Sequence, residues 1–198
     1  VLLATRNAGK LRELRPLFAA RGIVTTDLAT LGVDEEPAAE DGVEVHDTFE
    51  GNALAKAQYF HEVTGGVATV ADDSGLEVAA LGGAPGVRSR RWTAEGTDVA
   101  NNARLVASMA GVSDRRARFV CAAAFVGLGV ALVRRGEVAG RIVDAARGAG
   151  GFGYDPHFLS DELGRTFAEA SLEEKARVSH RARAFGALLA ALAAEPAR

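Results

Sequence analysis

The chain has 198 residues, with 26 Asp and Glu against 23 Lys and Arg and a formal net charge of −3. That length suits one sizeable domain, or two lobes sharing a sheet, and the acidic balance excludes wholesale binding of a nucleic-acid backbone while leaving room for a small anionic ligand. A single cysteine, Cys121, excludes an internal disulfide, and with no run long enough to span a membrane and no signal-peptide pattern the expected location is cytoplasmic.

In chain order, Val1 to Ala4 reads as a buried strand and Lys10 to Ala20 as a helix, with Leu11, Leu14, Leu17 and Phe18 along one face and Gly22 as its stop. The link between them approaches the G-x-x-x-x-G-K spacing of a P-loop. Ala4 stands in place of the first glycine, however, and Leu11 in place of the hydroxyl that would hold magnesium, which argues against a P-loop kinase. Residues 33–47 are acidic and aperiodic and suggest an exposed loop. Asp47-Thr48-Phe49-Glu50 has the spacing of a capping box with Asp47 as the cap, predicting a helix to about Val63 that Gly65-Gly66 closes. Val67 to Ala71 is a second buried strand, predicted to stop at Asp72-Asp73-Ser74-Gly75.

Farther on, Thr97 or Asp98 caps a helix reaching Met109, and Arg116–Leu128 with Val130–Val143 form an antiparallel pair of strands. A glycine-rich loop, RGAGGFGYDP, follows, and Ser171-Leu172-Glu173-Glu174 caps a closing helix that runs to about Ala194. The order of helices and strands implies one α/β unit with a mixed sheet.

The polar clusters lie where apolar elements are predicted to end, which is where open α/β sheets bind ligands. Thr5-Arg6-Asn7-Ala8-Gly9-Lys10 offers donors, helix-start amides and a cation, which together make either a phosphate cradle or a plain helix cap with a surface lysine. Asp72 and Asp73 are adjacent carboxylates, tolerated if a divalent cation or solvent neutralises them. Magnesium shared with substrate phosphates fits such an oxygen pair, and so does a solvated turn. Glu40 could add a further carboxylate, in competition with Glu35, Glu36 and Asp41. In the loop holding Phe152, Gly153, Tyr154 and Asp155, an aromatic flanked by glycines can stack on a base. Lys175 and Ser179-His180-Arg181 make a basic patch that is either part of a site or a solvated face.

Taken in order, Thr5-x-Asn7-x-Gly9-Lys10, Thr48-Phe49-Glu50-x-Asn52-Ala53-x-x-Lys56-Ala57, Ala71-Asp72-Asp73-Ser74-Gly75-Leu76, Gly83-Ala84-Pro85-Gly86, Gly151-Phe152-Gly153-Tyr154-Asp155-Pro156 and Glu174-Lys175 with Ser179-His180-Arg181 resemble the inosine/xanthosine triphosphate pyrophosphatases. The resemblance implies an elongated mixed sheet flanked by helices, a single domain over residues 1–198 with two lobes and a central substrate cleft, and a homodimer. It also implies magnesium-dependent hydrolysis of dITP, ITP and XTP to the monophosphate and pyrophosphate. By motif match Thr5 to Lys10 and Lys56 would hold the triphosphate. Asp73 would be the metal-linked proton acceptor, with Asp72 and Glu40 as further metal ligands. Ser74, Phe152, Gly153, Tyr154, Asp155, Lys175, His180 and Arg181 would line the substrate, with Phe152 near the base. The competing readings are a septum-formation-type pyrophosphatase acting on modified pyrimidines and a nucleotide-binding protein without turnover.

Overall fold

A computed structural model of the chain describes residues 1–34, 40 and 42–195. The strands form one sheet in the order β2-β1-β3-β4-β5-β6. Strand β1 (Leu2–Leu3) pairs in parallel with β2 (Thr26–Asp27) and with β3 (Thr69–Val78), Leu2 lying opposite Thr26 and Thr69. Strands β4 (Arg116–Gly127) and β5 (Val130–Ile142) are joined through Leu128 and Gly129, at φ 54° and 71°. Positive φ at both central residues is what a two-residue hairpin turn requires. The last strand, β6 (Phe158–Ser160), is antiparallel to β5, so the sheet is mixed.

The chain divides into two compact units: Val1–Asp73, Cys121–Gly136 and the chain from Arg181 onward form the first, and Ser74–Val120 with Glu137–His180 form the second. In the first, Asn7 caps α1 (Ala8–Ala19) by accepting from the Lys10 amide, so the helix starts two residues earlier than its apolar pattern predicts. Leu14 and Phe18, one turn apart on α1, are buried with Val70, Phe125, Phe185 and Leu188, and the Phe18 and Phe185 rings meet edge-on at 5.9 Å. Burial of each such side chain contributes roughly 1.5–3 kcal/mol. Helix α2 (Phe49–Val63) is capped by Thr48, which accepts from the Gly51 amide, so the cap falls one residue after the Asp47 that the sequence suggests. Of the acidic stretch 33–47, positions 35–39 and 41 lie outside the described residues, Glu35, Glu36 and Asp41 among them.

In the second unit, Leu76, Leu105, Met109, Phe119, Val138, Phe158 and Phe167 form the core, with Phe119 stacked on Phe167 at 5.8 Å. Helix α3 (Asp98–Ser108) is capped by Thr97. Ser171 and Glu174 make the predicted capping box at the start of α4 (Leu172–Val178). The closing helix is not continuous: Ser179, at φ −66° and ψ 150°, interrupts it before α5 (His180–Ala194). A second departure concerns the carboxylate pair. Strand β3 runs straight through Asp72-Asp73-Ser74-Gly75 instead of stopping there, and Asp72 and Asp73 are only 1% and 8% exposed. The solvated-turn reading therefore fails, because these polar side chains have partners inside the fold.

Candidate active site

The residues expected to form the site fall into two clusters, one within each unit. In the first unit they gather on Asp72 and Asp73. The α1 cap places Lys10 in the first turn, where its Nζ lies 3.1 Å from Asp72 Oδ2 and 3.5 Å from the Asp72 main-chain oxygen. Thr5 Oγ1 accepts from the Asn7 amide and fixes the approach to that turn. Helix α2 presents Asn52 and Lys56, four residues apart and so on one face. Asn52 Nδ2 donates to Asp73 Oδ2 at 3.0 Å, and Lys56 Nζ donates to the Asp72 main-chain oxygen at 2.9 Å. The break at Ser179 starts α5 so that Arg181, 1% exposed, donates from Nε to Asp72 Oδ2 at 3.2 Å and from NH1 to Glu13 Oε2 at 2.6 Å.

These partners set the electrostatics. Burial alone would raise the Asp72 pKa, but Lys10, Arg181 and Lys56 outweigh it and hold the carboxyl well below the usual carboxylate range. Asp73 goes the other way: burial raises it, Glu44 adds to that, and Lys56 and Lys10 offset only part. Lys56 is raised, because Glu44, Asp72 and Asp73 overcome the burial that would lower it. The cluster therefore combines a locked anion, a carboxylate of enhanced proton affinity and fixed cations.

Two observations bear on a divalent cation. Asp72 Oδ1 is buried with no hydrogen-bond partner among the described residues, and Asp73 and Glu44 are carboxylates close enough for one to disfavour ionisation of the other. Both are what a hard cation with oxygen ligands would relieve. Among the described residues no three His, Cys, Asp or Glu side chains converge as a metal-holding group. The Glu40 carboxylate pairs with Arg6 at 2.6 Å, and Arg6 also donates to the Val33 and Asp34 main-chain oxygens. Arg6 thus bonds at once to Val33, Asp34 and Glu40.

The second cluster surrounds Lys175, which is 3% exposed. Its Nζ donates to Asp155 Oδ2 at 2.5 Å and lies 5.0 Å and 5.2 Å from the centres of the Phe152 and Phe167 rings. Asp155 Oδ2 also accepts from the Phe152 amide at 2.9 Å. At Gly151, φ +72°, a Cβ would fall 2.1 Å from that same oxygen, so only glycine allows the turn. His180 stacks on Phe119 at 4.8 Å and 13°. Tyr154 is a core residue: its hydroxyl donates to the Ser89 main-chain oxygen at 2.7 Å, and burial, then Asp98, push its pKa up. Ser74, half-buried, opens the second unit's part of β3.

Sequence reasoning assigns no role to Glu13, Asn52 or Glu44. Glu13 had a signal, since it follows Lys10 by one turn of α1, and Asn52 precedes Lys56 by one turn of α2. Glu44 had none within its acidic run.

A profile of the Ham1 family matches residues 1–191. The chain belongs to this family. Among Ham1 relatives, the dITP/XTP pyrophosphatase of Mycolicibacterium paratuberculosis is 49% identical over 196 residues, spanning 97% of this chain and 95% of its own. The Ham1 protein of Staphylococcus aureus superposes with a TM-score of 0.82 at 35% identity, covering 98% of both chains. A structure from Mycobacterium abscessus, described as a nucleoside-triphosphatase and dITP/XTP pyrophosphatase, gives a TM-score of 0.72 at 42% identity over 96% of this chain and 98% of its own.

Proposed function

We infer that this chain is a pyrophosphatase that hydrolyses deaminated purine nucleoside triphosphates, dITP, ITP and XTP, to the monophosphate and pyrophosphate. The observation that carries the reading is the convergence of Lys10, Lys56 and Arg181 on a buried carboxylate pair, in a chain whose relatives are named for this reaction.

Cleavage between the α- and β-phosphates needs cations beside the phosphate oxygens, an aligned water, and a group to orient or deprotonate that water. Lys10 and Lys56 are the cations, and their shared tether to the Asp72 main-chain oxygen leaves little ordering for the substrate to impose. Asp73 takes the water. Its raised proton affinity brings a carboxylate nearer the pKa a general base needs, and Asn52 holds one of its oxygens in place. Asp72 stays ionised as a fixed charge. Magnesium would be held by Asp73, with Asp72 and Glu44 at hand, and when bound it neutralises phosphate oxygens. Phe152 stacks on the base. His180 donates to the 6-keto oxygen, an arrangement that leaves the amino group of adenine opposed to a donor. Arg181, engaged with Glu13 and Asp72, acts on the carboxylate pair. We further propose a cytoplasmic homodimer, which sedimentation would register as a particle of twice the chain mass.

The test is pyrophosphate release from ITP, XTP, GTP, ATP and a modified pyrimidine triphosphate, with and without magnesium. Turnover of ITP and XTP that requires magnesium and exceeds that of ATP at least about a hundredfold supports the reading. Preference for the modified pyrimidine would move the chain to the septum-formation type, and no release from any nucleotide would leave only binding.

A further inference from the structure

The loop that carries Phe152 is held from outside by a different element. Helix α3 presents Asp98 and Asn102, four residues apart and so on one face. Asp98 Oδ2 accepts from the Gly153 amide at 2.7 Å, and Asn102 Nδ2 donates to the Gly153 main-chain oxygen at 2.8 Å. The two peptide groups on either side of the Gly153 Cα are therefore fixed by one helix face. Gly153 has φ +61° and nothing within 4 Å of where a Cβ would sit, so this glycine serves backbone conformation and not close packing. Asn102 Oδ1 is buried without a hydrogen-bond partner among the described residues, so the bond from Nδ2 is the one that orients the side chain. Phe152 is then caught from both ends: its own amide is held by Asp155, and the next amide is held by Asp98.

We propose that Asp98 and Asn102 are positioning residues which, by clamping the peptides around Gly153, set the Phe152 ring for stacking on the nucleobase and so control base affinity and selectivity. The proposal rests on the functional reading above and deepens it. Without the clamp, a segment with glycines at 148, 150, 151 and 153 has many conformers. Apparent affinity then falls with the fraction of molecules in the competent one, while the chemical step on the phosphates proceeds once substrate is bound.

The side-chain chemistry supplies the test. Asn102→Asp keeps the shape but replaces the donor with an acceptor. Asp98→Ala removes the acceptor, and Asp98→Asn retains an acceptor oxygen. With the full chain and ITP, Asn102→Asp and Asp98→Ala are expected to raise KM about tenfold, the scale of losing one hydrogen bond, with kcat within threefold and a smaller preference for ITP over ATP. Asp98→Asn is expected to restore KM to within threefold of the parent. Amide hydrogen exchange at Gly153 should speed up in Asp98→Ala and stay slow in the parent and in Asp98→Asn. A loss of kcat at unchanged KM, or unaltered KM and base preference in the unrescued variants, would overturn the proposal. If the parent enzyme releases no pyrophosphate from ITP, the functional reading fails and the base-selectivity role falls with it; fast exchange at Gly153 in an active parent enzyme would refute the clamp alone.

Discussion

Asp72 and Asp73 are chemically identical neighbours whose proton affinities shift in opposite directions, and the difference lies in their surroundings. Asp72 is dominated by Lys10, Arg181 and Lys56, whereas Asp73 is dominated by desolvation, which Lys56, Lys10 and Asn52 offset only in part. Asp72→Asn would leave buried cations without their counter-charge, which costs about 3–5 kcal/mol when one partner of a buried pair is removed. Urea unfolding at neutral pH without divalent ions should read that loss. The sign with pH follows from the lowered folded-state pKa. Asp72's contribution is complete above the unfolded value of roughly 3.9 and disappears as pH falls through the lower folded value, so the gap between parent and Asp72→Asn should close in acid. Asp73 has the opposite sign: a raised folded-state pKa means its ionised form works against folding at neutral pH. Asp73→Asn should therefore leave stability equal or higher. The sequence makes this pair visible as adjacent carboxylates but not as unequal ones, because the partners come from α1, α2 and α5, remote along the chain.

At the level of elements, local chemistry was readable where a cap or an apolar helix face decides the outcome, and unreadable where a tertiary partner does. Thr97 and the Ser171–Glu174 box start their helices as the spacing suggests, and the β4–β5 hairpin turns at Leu128-Gly129. Asp-Asp-Ser-Gly has the composition of a turn, yet it is strand, since ion pairs and hydrogen bonds satisfy side chains that would otherwise seek water. The break at Ser179 was hidden in a helical pattern, although it separates Lys175 from Arg181 and lets each serve its own cluster. The glycine loop was legible as a loop, but the packing of Gly151 against the Asp155 side chain was not. Gly151→Ala would combine a left-handed backbone with a Cβ driven into Asp155. Thermal unfolding should show a loss of about 1–3 kcal/mol from the backbone conformation alone, and Phe152 should lose its tether to Asp155.

For the whole molecule, the ordered motifs made the family legible, while the boundaries of the two compact units were not. Each unit is assembled from interrupted stretches, and the boundaries cut between Asp73 and Ser74 and between His180 and Arg181, through the middle of motifs that read as continuous. No local composition marks such a division. Glu40 shows a related limit: in an acidic run every carboxylate looks equivalent, and only the fold pairs Glu40 with Arg6 and Glu44 with Lys56. Cations from distant segments hold one carboxylate centre, and the proposed function has that centre act on a triphosphate. The most direct test is ITP turnover with magnesium by the parent chain and by Asp73→Asn, each checked for intact fold by circular dichroism and urea unfolding. The account predicts a fall in kcat of at least about a hundredfold in a variant as stable as its parent; near-parental turnover by a folded Asp73→Asn would contradict it.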